Sequence, residues 1–163
     1  FLGLAELDVA GNVNVSMFGQ GERRKIAGVG GFINITQATP HLVFMGTLTA
    51  GGLQVRGANG RLRIEHEGRA RKFIDQVGQL SFNGAYASKL GTAVTYVTER
   101  AVFRLEAGQL TLCEIAPGLS LEHDVLAHCP AGLKVSAQLR EMDSRIFHNE
   151  PMGLGASTPV RRA

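Results

Sequence analysis

Cysteine is scarce in this chain of 163 residues: Cys113 and Cys129 are the only two, and they show no CxxC spacing. Two cysteines cannot form a disulfide framework, and the simplest reading is a pair of reduced thiols in a cytoplasmic protein. Long apolar runs are also missing. No stretch approaches the ~18 residues of a membrane span, so no membrane segment is expected. Like charges never gather into a block, and the aromatic residues are not interleaved with the basic ones. Nucleic acid is therefore not an expected partner. The five histidines offer no metal set. His123 and His128 are five apart and miss the shared helical face that a spacing of three or four provides. No nucleophile elbow of the serine hydrolases is present. Internal repeats, low-complexity segments and linkers before the tail are absent as well.

What is present describes a globular domain. Hydrophobic residues make up 44% and charged residues 19%, the balance of a soluble folded protein. The length suits one domain that buries about two-thirds of its unfolded surface. Glycine, at 21 residues, is roughly double its usual share of about 7%, so tight turns and close backbone approaches should be common. The net charge is +3, mostly from arginine, which favours an anionic small ligand.

Hydrophobic patterning predicts three hairpins. Leu4–Val9 and Val13–Met17 flank the turn Ala10-Gly11-Asn12. Leu53–Val55 and Leu62–Ile64 flank Gly57–Gly60, and Val102–Leu105 and Leu110–Ile115 flank Ala107–Gln109. His41–Leu48 is an almost continuous apolar run, the pattern of a strand buried on both faces, and Ala93–Thr98 reads the same way. Helical signals are fewer. Short helices are expected after Phe32 and within Ser81–Leu90. The clearest spans Ser120–His128, with Ser120 as N-cap, Glu122 and Asp124 in the first turn and Pro130 as stop. The fold class read from this pattern is α/β, an open mixed sheet with flanking helices. Residues 1–154 form the expected domain, and 155–163 (GASTPVRRA) an expected flexible tail. Phe1 opens in mid-pattern, which suggests a processed product or part of a longer chain.

The motif richest in chemistry is Gly28-Val29-Gly30-Gly31, entering the short helix at Phe32. Glycines let backbone N–H groups approach a ligand with no β-carbon in the way, and a helix start adds partial positive charge. Such donors suit the oxyanion of a thioester exchange. On the residues alone, a tight turn is the favoured reading of the same four residues, since a lone glycine-rich turn is weak evidence. Arg23, Arg24 and Lys25 precede the loop and are read either as attractors of phosphate or as a solvated loop. The cluster Arg69, Arg71 and Lys72 is read as solvated. Glu99 ends a buried-type strand, and a structural pair with Arg100 or Arg104 is the favoured reading over catalysis. Asn34 and Gln37 stand close after the glycines, either facing the same cleft or simply satisfied.

Three segments, AGVGGFINITQ at 27–37, YVTERAVFRL at 96–105 and EIAPGLSLEHDVLAH at 114–128, resemble the C-terminal half of class I coenzyme A transferases. The intervening FMGTLTAGGL, EGRARKFIDQV and REMDSRIFHNEPMGL resemble the acetate/propionate branch. The resemblance runs in order along nearly the whole chain. It implies an open α/β domain and ping-pong transfer of coenzyme A between carboxylates through a glutamyl-CoA thioester. It places Gly30 and Gly31 at the thioester oxyanion; Gly28 and Val29 of the same loop, with Arg24 and Lys25 beside it, are then the residues expected to bind coenzyme A. It implies acyl-CoA and short-chain carboxylates as substrates, with no other cofactor and no metal. The family's glutamate lies some tens of residues before the position matching Phe1, so a missing N-terminal half or a partner chain is expected to supply it. An uncovered apolar face would then favour an oligomer. The alternative is a non-catalytic module that binds coenzyme A or another protein.

Overall fold

Alternating side chains and glycine turns build this molecule mostly from strands. The computed structural model describes residues 1–19 and 24–154. Arg23 and the expected tail from Gly155 lie outside the described residues. The N-terminal region consists of the two-residue strands β1 (Leu2–Gly3), β2 (Glu6–Leu7), β3 (Val13–Asn14), β4 (Met17–Phe18) and β5 (Lys25–Ile26). Helix α1 (Phe32–Ala38) leads into β6 (His41–Met45) and β7 (Thr49–Ala50). A hairpin of β8 (Gln54–Ala58) and β9 (Arg61–His66) follows, then β10 (Ala70–Arg71) and α2 (Gly84–Lys89). The chain continues through β11 (Ala93–Val97), β12 (Ala101–Glu106), β13 (Gln109–Ile115) and β14 (Lys134–Glu141).

Six strands form one mixed sheet in the order β1-β6-β11-β12-β13-β14. β1, β6 and β11 run parallel, β12 is antiparallel to both its neighbours, and β14 is parallel to β13. The three expected hairpins form: β2 with β3, β8 with β9, and β12 with β13. The middle one turns on Asn59 and Gly60, both at positive φ, as a two-residue hairpin turn requires. β14 carries no sequence signal, because its pattern is largely polar and exposed, as suits the last strand of a sheet.

The main core lies on one face of the sheet. Leu42, Phe44, Val94, Tyr96, Phe103, Leu110 and Leu112 are buried there, with Phe32 from α1 and Phe82 before α2. Phe44 packs against Phe32, Phe82 and Tyr96 at ring centroids 5.7, 5.0 and 5.4 Å apart. The buried Tyr96 hydroxyl donates to the Gly11 carbonyl at 2.7 Å, tying the first hairpin's turn to the sheet. The expectation of strands buried on both faces fails. In β6, Val43 is half-buried and Met45 is 49% exposed, so the second face stays partly open. A smaller cluster of Leu62, Ala116, Met142 and Phe147 covers only the region beside Val102.

The expected helix at Ser120 is capped as read but not α-helical. The Ser120 Oγ accepts from the His123 amide and the Asp124 Oδ2 accepts from the Ser120 amide, at 3.3 and 2.7 Å. Leu121–Val125 is a π-helical turn that tightens into a 3₁₀ turn at Leu126–His128. α2 begins with the Asn83 side chain accepting from the Tyr86 amide at 2.9 Å.

Candidate functional site

Strand direction locates the site. α1 precedes β6 through a short connection, and Phe32 at its start packs on Phe44 near the end of β6. The glycine loop therefore lies toward the carboxyl ends of the parallel strands, where ligands bind in open α/β sheets. The same edge carries the segments leaving β6, β11 and β13. The Gly46 amide donates to the Val97 carbonyl at 3.1 Å, and the Ala116 amide to the Arg100 carbonyl at 2.7 Å.

In the loop, Gly28 and Gly30 adopt φ values of 71° and 50°, left-handed conformations that favour glycine. Val29 is half-buried against the main core and anchors the loop, while Gly28, Gly30 and Gly31 are exposed. A β-carbon built on Gly28 or Gly30 has no neighbour within 4 Å, so the space in front of them is open. Carbonyls within the loop are used: Val29 accepts from the Phe32 amide at 2.9 Å and Gly31 from the Ile35 amide at 3.1 Å. The amides of Gly30 and Gly31 meet no acceptor among the described residues. They are two adjacent donors on exposed residues.

A polar network that sequence reading missed holds the loop's entry. The Ser16 carbonyl accepts from the Ala27 and Gly28 amides at 2.8 and 3.3 Å. Ser16 is itself fixed by the Asn14 Oδ1, which accepts from its amide at 3.0 Å, and by the Ser81 hydroxyl at 3.2 Å. Asn14 is completely buried, and its Nδ2 donates to Glu6 and to the Met17 carbonyl, both at 2.6 Å. A run of Asn and Ser in the first hairpin carries no signal for this, since the Ser81 hydroxyl that meets Ser16 lies 65 residues away. Of the other expected residues, Arg24 and Lys25 are exposed just before the loop, with Lys25 in β5. Asn34 is exposed on α1, and Gln37 faces a shallow groove between α1 and α2.

Farther along the edge sits a buried ionic cluster. The Arg100 side chain is fully buried; its Nε donates to Glu99 at 2.5 Å and its Nη groups to Glu67 at 2.7 and 3.0 Å. A further bond runs from Nη1 to the Asp124 carbonyl at 2.9 Å. Thr49 donates to Glu67, and His128 Nε2 lies 3.3 Å from it. Burial alone would raise the Glu67 pKa, but bonds from Arg100, Thr49 and the Gly68 amide, with the Arg100 charge, outweigh it and hold it at about 2. Glu99 pairs with Arg100 as expected, and its other oxygen accepts from the Leu48 amide at 2.9 Å. With both oxygens engaged, Glu99 is poorly disposed to act as a nucleophile. Lys72, read as solvated, is instead half-buried against Gly46; burial pushes its pKa down while Glu99 opposes the shift. Arg71 donates to the Ala127 carbonyl at 2.8 Å. The cluster fastens the exits of β6 and β11 to the turn after β13.

Among the described residues, no group of three or more side chains is disposed to hold a metal. No helix there is long and apolar enough to cross a membrane.

An open mixed sheet bearing an exposed glycine loop at its carboxyl edge defines the class of fold. Comparison with known proteins then supplies the family. No protein-family model matches the chain. It is 46% identical over 156 residues to a caffeate CoA-transferase of Acetobacterium woodii, covering 94% of this chain and 29% of that protein. It is 43% identical over 153 residues to the acetate CoA-transferase YdiF of Escherichia coli O157:H7, covering 94% of this chain and 28% of that one. The YdiF apoenzyme crystal structure superposes with a TM-score of 0.88 across 93% of this chain and 29% of that one, and a YdiF thioester complex with CoA gives 0.87. The chain belongs to the coenzyme A transferase family. It spans under a third of the length of the relatives it matches.

Proposed function

We propose that the chain is the C-terminal part of an acyl-CoA:carboxylate CoA-transferase working by ping-pong transfer through a glutamyl-CoA thioester. In this reading, the Gly30 and Gly31 amides donate to the oxyanion formed as the thioester exchanges. Gly28 and Val29 shape the approach for coenzyme A, and Arg24 and Lys25 attract its negative charge. Sequence outside these 163 residues, on the same or a partner chain, supplies the glutamate. Acyl-CoA and short-chain carboxylates are the substrates, and the buried free thiols of Cys113 and Cys129 suit a cytoplasmic setting. The carrying observation is the pair of adjacent amides on exposed Gly30 and Gly31 that meet no acceptor among the described residues. Similarity to an enzyme solved as a thioester complex with CoA supports assigning them to that chemistry.

Gly31 offers a clean test, because its φ of −81° is within reach of proline. Gly31→Pro removes the N–H donor, whereas Gly31→Ala keeps it and meets only the Ile35 Cδ1 at 3.9 Å. With the chain joined to the remaining portion of an acetate CoA-transferase, Gly31→Pro should lower kcat roughly 10²–10³-fold and Gly31→Ala far less. Equal kcat in the two variants would overturn the assignment. The 163 residues alone should show no transfer, since a nucleophile that forms the covalent intermediate is not optional.

A further inference from the structure

Rigidity at the glycine loop has to come from outside it. Its glycines have the widest backbone freedom of any residue, and only the Val29 side chain packs on the core. Oxyanion donors act by being held in place beforehand, so a loop that drifts loses rate even with both N–H groups intact. The exit of the loop is fixed by Phe32, buried against Phe44. Its entry depends on one acceptor, the Ser16 carbonyl, which takes the Ala27 and Gly28 amides. The strands just before add little support. β4 and β5 are two residues each, both residues of β5 are exposed, and so short a ribbon is not stable alone.

One buried side chain holds that ribbon. Asn14, with 0% exposure, engages both polar backbone groups of Met17 in β4. Its Oδ1 accepts from the Met17 amide at 3.3 Å, and its Nδ2 donates to the Met17 carbonyl at 2.6 Å. The same Oδ1 accepts from the Ser16 amide, so the residue bearing the anchoring carbonyl is gripped as well. Glu6 sets the orientation. Its Oε2 accepts from Nδ2 and from the Gly78 amide at 3.2 Å, and a carboxylate that only accepts fixes which end of Asn14 donates. Both amide hydrogens and two acceptor positions of Asn14 are thus used, which leaves it one arrangement. Ser81, itself buried, closes the network by accepting from the Val15 amide at 3.1 Å.

We propose that Asn14 is a positioning residue for the transfer reaction, setting through Ser16 and Met17 the place of the Gly30 and Gly31 amides. The assignment rests on the transferase reading and deepens it. Asn14 is completely buried, so it acts on rate through the loop and not by touching substrate. Donors that matter only in the transition state affect kcat, whereas substrate binding is left as it was.

The test is steady-state kinetics of the chain joined to the remaining portion of an acetate CoA-transferase, with Asn14→Ala, Asn14→Asp and Tyr96→Phe. Asn14→Ala should lower kcat roughly tenfold or more, while KM for acetyl-CoA stays within about twofold. Asn14→Asp keeps the shape but turns an acceptor oxygen toward Glu6 and the Met17 carbonyl. It should lower kcat in the same direction, and it answers the question if the alanine variant does not fold. Tyr96→Phe removes another buried bond of the same hairpin, the one to Gly11, and should lower Tm while leaving kcat unchanged. Amide exchange at Ala27 and Gly28 should accelerate in Asn14→Ala while β6 and β11 keep their protection. Wild-type kcat in a folded Asn14 variant, or a rise in KM alone, would overturn the proposal. So would a kcat loss in Tyr96→Phe matching that of Asn14→Ala, since general loosening would then explain both. If Gly31→Pro lowers kcat and the Asn14 variants do not, the positioning role alone fails. If Gly31→Pro has no effect either, the oxyanion assignment fails with it.

Discussion

At the residue scale, Arg100 shows how a charged side chain is tolerated in the interior. Its guanidinium meets Glu67, Glu99 and the Asp124 carbonyl, so the donors that burial would orphan are used. Glu67 is the partner open to water on one side, and its depressed pKa gives the cluster a pH signature. The carboxyl titrates near 4.5 when unperturbed and at about 2 in the fold. Its contribution is therefore full above about pH 4.5 and is lost as pH falls toward 2. With solvent screening allowed for, that contribution is about 1–2 kcal/mol. Urea midpoints measured from about pH 6 downward should fall through this window. Glu67→Gln should be less stable at neutral pH and show a shallower fall. An identical slope in the variant would show that the loss belongs to other carboxylates.

At the element scale, the β8–β9 hairpin depends on few contacts. Leu62 is its main buried apolar anchor, packed with Ala116, Met142 and Phe147. Leu62→Ala should cost about 2–3 kcal/mol, the low end for a leucine removed from a small cluster. The effect should be local. Amide exchange should accelerate in Gln54–His66 while β6 and β11 keep their protection. Uniform loss of protection would mean that the hairpin and the sheet unfold as one unit. The hairpin itself was readable in the sequence through Asn59-Gly60 and the apolar flanks. Its arginine face was not, because Arg56 and Arg63 are separated in sequence and only strand register sets them opposite one another.

At the scale of the whole molecule, the sheet is covered unevenly. One face holds the main core, while Met45, and in the α1–α2 groove Leu80, Tyr86 and Leu90, are 49–58% exposed. Apolar surface left in water favours association, and a second copy of the chain is the occupant expected in a purified sample. Sedimentation at rising concentration should show self-association that Leu80→Ser/Leu90→Ser weakens. A strict monomer throughout would contradict this.

Some of this protein was determined by its sequence alone. Period-two patterns and glycine turns specified the three hairpins, because strand pairing between neighbours depends on local residues. The glycine loop and the family resemblance were legible for the same reason: both are contiguous. Tertiary structure decided the rest. It showed that the second face of His41–Leu48 is only partly covered, since an apolar run does not reveal what packs against it. It drew Lys72 out of an apparently solvated cluster toward Glu99, and joined Glu67 to Arg100 across 33 residues. It brought Ser16, Asn14 and Ser81 to the entry of the glycine loop, and left the Gly30 and Gly31 amides without an acceptor among the described residues. Such contacts depend on chain segments meeting in space, and residue order does not encode that meeting locally.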